Sequence, residues 1–198
     1  MSSMKQVILF IILLAAFTGC SEKYTPKPRG FFRIDFPEKK YHKITGDLPF
    51  SFDIPDYSKI VPDYDDPDKP YWFNVSVPEN RAEIHISYYH LNDKNETKKI
   101  RLARLMEETH QLAYKHTIKA DAIEEQIFMN PAKKVYGTIY RINGNAASPM
   151  QFFLTDSTEN FLRGAFYIRE TPDIDSLQPV IDFFEPDIIR LIETTTWN

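Results

Sequence analysis

The rhythm of apolar and polar positions changes several times along this chain, and each change marks an element. Positions 7–17 are apolar without interruption, behind Lys5 and ahead of the small residues Thr18 and Gly19. The run falls short of the ~20 residues that a bilayer-spanning helix needs, and it has the layout of a secretory signal. Residues 21–30 hold two prolines and no periodic apolar face, which predicts an extended spacer reaching on the order of 30 Å. Strand-like alternation begins at residue 31, where Phe32, Ile34 and Phe36 alternate with Arg33 and Asp35 before Pro37. It returns at 49–54, where Phe50, Phe52 and Ile54 alternate with Ser51 and Asp53. After a polar loop at 57–70, strands at 71–77 and 82–91 flank a turn at Pro78, Glu79, Asn80 and Arg81, which makes a first antiparallel hairpin.

The period then lengthens. Leu102, Leu105, Met106, Thr109, Leu112 and Ala113 recur at helical spacing, predicting an amphipathic helix over 96–116 that lies on a sheet. A short strand at 123–128 and a meander of three strands at 133–142, 150–155 and 161–169 come next. Asn143-Gly144 is the dipeptide preferred in tight type I′ turns, residues 156–160 turn again, and small Gly164 and Ala165 fall in mid-strand. The last helix is predicted to start at Asp175 or Ser176 as N-cap, with Pro179 in its first turn. Leu177, Val180, Ile181, Phe184, Ile188, Leu191 and Ile192 form its apolar face, and Pro186 within that pattern predicts a kink near Glu185. The class is α+β: a single domain over residues 31–198, with a twisted antiparallel sheet of about six to seven strands and two main helices. This order of elements resembles that of PsbP-type photosystem proteins and Mog1. No repeat of solenoid length is visible.

Composition narrows the classes. The chain has 198 residues, 14% of them aromatic, and a net charge of −4, which suits one domain with a real core. A mildly acidic surface without a concentrated basic stripe argues against nucleic acid. Cys20 is the only cysteine, so the domain is held by packing without disulfides.

Cys20 also sits at an informative place. A cysteine directly after Thr18 and Gly19 resembles the bacterial lipobox, in which that residue is acylated, palmitate-type chains included, and becomes the mature N-terminus. Phe17 departs from the Leu commoner at its position. The resemblance implies that residues 1–19 are a removed signal peptide and residues 20–30 a lipidated cysteine with its spacer. An ordinary cleaved signal with a cysteine nearby is the alternative, but a lone thiol is unusual in an oxidising compartment and acylation consumes this one. Stable anchoring takes more than one acyl chain or signal, and a multiply acylated cysteine meets that requirement.

Longer blocks carry a more specific resemblance. The stretch Tyr24-Thr-Pro-Lys-Pro-Arg-Gly-Phe-Phe-Arg-Ile-Asp-Phe-Pro-Glu-Lys39 resembles the opening of the gliding-motility lipoprotein GldD family. Tyr114-Lys-His-Thr-Ile-Lys-Ala-Asp-Ala-Ile123, Gly144-Asn-Ala-Ala-Ser148, Gln151-Phe-Phe-Leu-Thr-Asp-Ser-Thr158, Phe161-Leu-Arg-Gly164 and Pro179-Val-Ile-Asp-Phe-Phe184 are similar to later parts of it. The resemblance implies a lipid-anchored component of the envelope machinery for gliding, linked to type IX secretion, on the outer membrane in preference to the inner. Its implied partners are the membrane, through the lipid, and other gliding or secretion envelope proteins. It brings no catalytic residue set with it.

The residues themselves offer little standard chemistry. Of the five histidines, His85 and His90 differ by five on one strand and so point to opposite faces. Glu107 and His110 make one Glu-x-x-His pair where di-iron bundles use two, and His116 ends the apolar face of the first helix. Asp63, Asp65, Asp66 and Asp68 suggest calcium, but Pro67 and the lack of a glycine at the sixth position argue against an EF-hand, and Asn74 stands where its closing Glu would be. No phosphate-cradling loop or Gly-x-Ser-x-Gly elbow occurs, so no metal, cofactor or small-molecule substrate is assigned. Lys115, His116, Lys119 and Asp121 cluster where the helix ends, although basic residues are favoured there by the dipole alone. The loops carrying Asn143, Asn145 and Asp156 are further candidate surfaces, at opposite ends of the 150–155 strand. Ser157 and Ser176 lie in short Asp-Ser segments that look like O-glycosylation acceptors, with helix capping the competing role for Ser176.

These residues leave two functions from different classes. The first is a non-enzymatic interaction or stabilising module. The second is an envelope ligand-binding or hydrolytic lipoprotein with a site near residues 115–121. A purely structural adhesin lacks the repeats it would need.

Overall fold

A computed structural model of the chain describes residues 34–44, 46–63, 69–171 and 173–198. The signal, Cys20, the spacer, residues 31–33 of the first expected strand, and Asp65, Asp66 and Asp68 lie outside the described residues. The folded domain is the unit Asp35–Asn198.

Eleven strands and two α-helices are described. The strands are β1 (Tyr41–Lys43), β2 (Phe50–Ser51), β3 (Asp53–Pro55), β4 (Lys59–Pro62), β5 (Phe73–Val77), β6 (Ala82–His90), β7 (Ala120–Asn130), β8 (Val135–Gly144), β9 (Met150–Thr155), β10 (Asn160–Ile168) and β11 (Thr196–Trp197). The helices are α1 (Lys98–Tyr114) and α2 (Ile174–Thr194). Seven strands form one sheet in the order β4-β5-β6-β10-β9-β8-β7, with every neighbouring pair antiparallel. The α+β class, the two helices and the seven-stranded antiparallel sheet are those the patterning predicts.

Strand alternation sorts side chains onto two faces, and the register decides which residues share one. Val75, Ile84 and Phe166 lie in one row across β5, β6 and β10, and Gly164, Phe152 and Ile139 in another across β10, β9 and β8. α2 covers this face: Phe184 packs on Phe166 with ring centroids 5.6 Å apart. Phe50 and Phe52 add to the same core beside Phe73. On the other face, Phe153, Phe161, Tyr140 and Ile142 pack with Leu105, Ala113 and Leu102 under α1. Helices therefore stand on both faces of the sheet.

Several local expectations change. Residues 49–54 are not one strand but two short ones in separate ladders: β2 pairs with β11 and β3 with β1. Local alternation carries no information about partners, and the two halves of this segment join opposite ends of the described chain. Residues 34–36 are not strand; Phe36 instead stacks on Phe183 of α2 at 4.3 Å. β4 forms within the expected polar loop, as an exposed edge strand.

Asn143-Gly144 does not make a tight turn. Both residues end β8, paired with Ala122 and Ala120, and the link to β9 is residues 145–149. Gly144 uses its positive φ of 101° beside a bulge in β7, where an added Cβ would lie 2.8 Å from the Asp121 backbone N. The N-cap of α2 is Asp173, not Asp175 or Ser176, so Pro179 falls inside the helix. Asp173 has no side-chain cap bond; the amide of Ile174, one of the four orphan donors of a helix start, donates instead to Asn145 Oδ1 at 2.8 Å. α2 is continuous through both Pro179 and Pro186.

Candidate functional site

α1 covers only part of its sheet face, and the uncovered part changes character. Beneath the helix the face is aromatic and aliphatic. Past its C-terminal end, Asn74 of β5, His85 and Ser87 of β6, Gln151 of β9, and Arg163, Ala165 and Tyr167 of β10 line a cavity of ≈ 350 Å³. Leu112, Lys115 and His116 close it from the helix end, and Asp63 and Trp72 from the loop side. Four strands thus supply one polar floor. Asn74 lies opposite His85, His85 opposite Ala165, Ala165 opposite Gln151, and Arg163 opposite Ser87.

The charges are unevenly satisfied. His85 Nε2 lies 2.9 Å from Glu83 Oε1, and Arg169 grips the same carboxylate through Nε at 2.9 Å and Nη2 at 2.6 Å. Burial pushes the Glu83 carboxyl up, but the bonds from Arg169 and His85 outweigh it and hold the group below its ordinary range. Burial also depresses the His116 imidazole, which favours its neutral form. Arg163 has no carboxylate within ion-pair distance among the described residues. Each of the other arginines there has one: Arg81 with Glu170, Arg101 with Asp93, Arg104 with Glu96, Arg141 with Glu185, Arg169 with Glu83 and Arg190 with Asp53.

The sequence-derived candidates separate on the structure. Lys115 and His116 meet in the cavity. Lys119 and Asp121 are exposed and do not line it; the Lys119 amide donates to the His116 carbonyl at 2.9 Å, and Asp121 abuts Gly144. Asn143 Nδ2 donates to Glu124 at 3.0 Å, while Asn145 caps α2. Asp156 organises its turn, accepting from the amides of Thr158, Glu159 and Asn160 at 2.8 to 2.9 Å and from Asn160 Nδ2 at 2.7 Å. These bonds outweigh burial and keep its carboxyl below the ordinary range. The two loops stand at opposite ends of β9, as expected. His110 stacks on Tyr114 at 4.2 Å, and no group of three or more His, Cys, Asp or Glu gathers around a metal position among the described residues.

Sequence reasoning missed Arg163, Gln151 and Ser87. Their signal was polarity inside otherwise apolar central strands, where a buried polar residue is the informative exception.

A second feature is the far edge of the sheet. β7 is eleven residues long, pairs with β8 on one side and has no strand on the other among the described residues. Ile127 and Met129 on it are 73% and 69% exposed, and Ile118 just before it is 91% exposed.

The chain matches the family described as gliding motility lipoprotein GldD over residues 21–197. No curated protein matches it. Among solved structures it is similar to the solution structure of cyanobacterial PsbP (CyanoP) from Synechocystis sp. PCC 6803, at 10% identity and a TM-score of 0.43, over 87% of this chain and 99% of that one.

Proposed function

The chain belongs to the gliding motility lipoprotein GldD family, and from that premise we propose that it is a non-enzymatic interaction module of the gliding machinery, held on the outer membrane by lipid at Cys20 and linked to type IX secretion. The observation that carries this reading is β7. An edge strand of this length that no other described strand pairs on its outer side, with exposed Ile127 and Met129, is a template for an added strand, and proteins that do not use such edges blunt them. The occupant is an extended segment of a co-anchored gliding or secretion protein, which adds antiparallel to β7 and covers the two apolar side chains. Co-anchoring raises the effective concentration of such a partner, so a modest contact suffices.

The test is a deletion strain complemented with wild type or with the double variant Ile127→Lys, Met129→Lys. Deletion should abolish gliding and lower the levels of neighbouring motility lipoproteins, and the double variant should fail to restore either while accumulating normally. Normal gliding, normal secretion and unchanged lipoprotein levels in the deletion strain would sink the module; full rescue by the double variant would sink β7 as its contact surface.

One observation favours a second reading, an envelope lipoprotein that binds a ligand near residues 115–121: Lys115 and His116 wall a cavity of small-molecule size.

A further inference from the structure

The cavity beside Lys115 and His116 is lined by polar groups that the fold leaves unused. Gln151 is 3% exposed near the start of β9, between Met150 and Phe152. Its side-chain amide makes no hydrogen bond with another described residue, although it lines the cavity. The Ser87 hydroxyl, on a side chain nearly as buried, makes none either. Neither group is sealed off, since the one fully buried side-chain polar atom without a partner among the described residues is Arg101 Nε; both present their polar atoms to the cavity, where a ligand can bond them.

Arg163 adds charge to the same place. It stands directly across from Ser87 and, among the described residues, lacks a carboxylate partner. Ala165, between His85 and Gln151 in the register, leaves room above the floor that a larger side chain would fill. With His116 neutral and His85 engaged by Glu83, the full charges in the lining among the described residues are Arg163 and Lys115 against Asp63. One net positive charge complements a singly charged anion better than a dianionic phosphate.

We propose that this cavity binds a small polar ligand by one carboxylate, held by the Arg163 guanidinium and Lys115, while Gln151 and Ser87 hydrogen-bond the ligand's remaining polar groups. The inference rests on the ligand-binding reading of residues 115–121 and names its ligand class. A planar guanidinium fork matches a carboxylate in two parallel bonds. Trp72 and Tyr167 in the lining offer apolar faces to the ligand's body. The volume of ≈ 350 Å³ lies near the small end of ligand sites and suits one acidic sugar or one terminal amino acid residue.

Calorimetric titration of the purified full-length protein with sodium glucuronate and with N-acetylalanine tests this, beside methyl glucoside and inorganic phosphate. At least one carboxylate should bind saturably, and which one does distinguishes a glycan source from a peptide source. Arg163→Gln should weaken that binding about tenfold or more. Gln151→Leu should weaken it about fivefold while leaving the urea midpoint close to wild type, because no described residue bonds the amide that is removed. Methyl glucoside binding as well as glucuronate, or phosphate binding more tightly than both carboxylates, leaves the ligand-binding reading standing and overturns the carboxylate. Carboxylate binding that survives Arg163→Gln overturns the assigned residues, and no saturable binding by any of the four probes overturns both readings.

Discussion

The phenol of Tyr41 donates to Oδ1 of Asp187 at 2.7 Å, joining residues 146 positions apart. The same carboxylate receives Lys39 Nζ at 2.7 Å and the Tyr57 hydroxyl. Asp187 lies on the buried face of α2, and its side chain is 1% exposed. Three donors from the segment that begins the described domain therefore converge on one acid in its last helix, which clamps β1 and β3 against α2.

Removing that acid should be costly and removing one donor should not. Asp187→Ala leaves three donors aimed at a cavity, and the expected loss is about 2–4 kcal/mol. Lys39→Ala should cost about 1 kcal/mol or less, because the ammonium is partly exposed and the two phenols still satisfy the carboxylate. Urea unfolding of the two variants checks the asymmetry; equal midpoints would mean that the cluster does not clamp the fold.

The same cluster predicts an alkaline limb. Burial, then the hydrogen bond to Asp187, push the Tyr41 phenol up from 10.0 to about 12, and Tyr57 is pushed further in the same direction. A folded pKa above the unfolded value contributes stability that is complete below about pH 10 and is lost as pH rises through the folded value. Tyr57→Phe should therefore be less stable than wild type at pH 8, with the gap closing as pH rises above about 10. A gap that stays constant through pH 11 would contradict the assignment.

Two glycines test the closeness of the sheet's layers. A Cβ on Gly137 would lie 1.9 Å from the Phe153 carbonyl oxygen, which is backbone, and one on Gly164 would lie 2.1 Å from Phe152 Cζ, the far end of a buried ring. Overpacking costs about 1–3 kcal/mol and more where nothing can yield. Gly137→Ala should therefore destabilise by about 3 kcal/mol or more and Gly164→Ala by about 2 kcal/mol, ordered by which neighbour can move. Thermal unfolding of the pair decides it, and the reverse order would refute the steric argument.

Much of what depends on near neighbours was legible in the sequence, although the link after β8 and the N-cap of α2 were not. The hairpin of β5 and β6, the strands of the meander, and α1 all arise from period and turn chemistry within short windows. Phe50 and Phe52 were legible as a buried pair, but not that Ser51 would pair with Thr196 while Asp53 pairs with Lys43, because partner choice is a non-local matter. Gly144 was legible as a residue with special φ, and its left-handed conformation serves the end of β8, not a two-residue turn. The cavity fell beyond reach for the same reason. Lys115 and His116 stand out locally at a helix end, whereas the floor of Ser87, Gln151 and Arg163 exists only once the registers of β6, β10 and β9 are set.

Asp156 carries an acid-side prediction. Its folded carboxyl lies below the ordinary 3.8 because the turn's amides hold the charged form. The stability it contributes is present above about pH 4 and is lost as pH falls through the folded value. Asp156→Asn keeps the size but weakens the acceptor, so it should cost about 1–2 kcal/mol at pH 7 and progressively less as the medium is acidified below pH 4. Stability curves at pH 7 and pH 3 check the convergence; parallel curves would leave the turn without the proposed charge-assisted bonds.

Cys20→Ser separates attachment from folding. No helix among the described residues is long and apolar enough to cross a membrane, and in the proposed function lipid at Cys20 supplies the anchor. One acyl chain gives marginal binding, whereas several give a stable hold, so removing the acylated residue removes all of them together. The variant should keep the wild-type circular dichroism spectrum and melting temperature and move from the membrane pellet to the soluble envelope fraction. Gliding should be lost with it, because a released domain meets its partners at bulk concentration instead of the raised concentration of a shared membrane plane. A Cys20→Ser strain that still glides would show that the partner contact is tight enough without the tether, and one whose protein stays in the pellet would place the attachment on the surface of the domain itself.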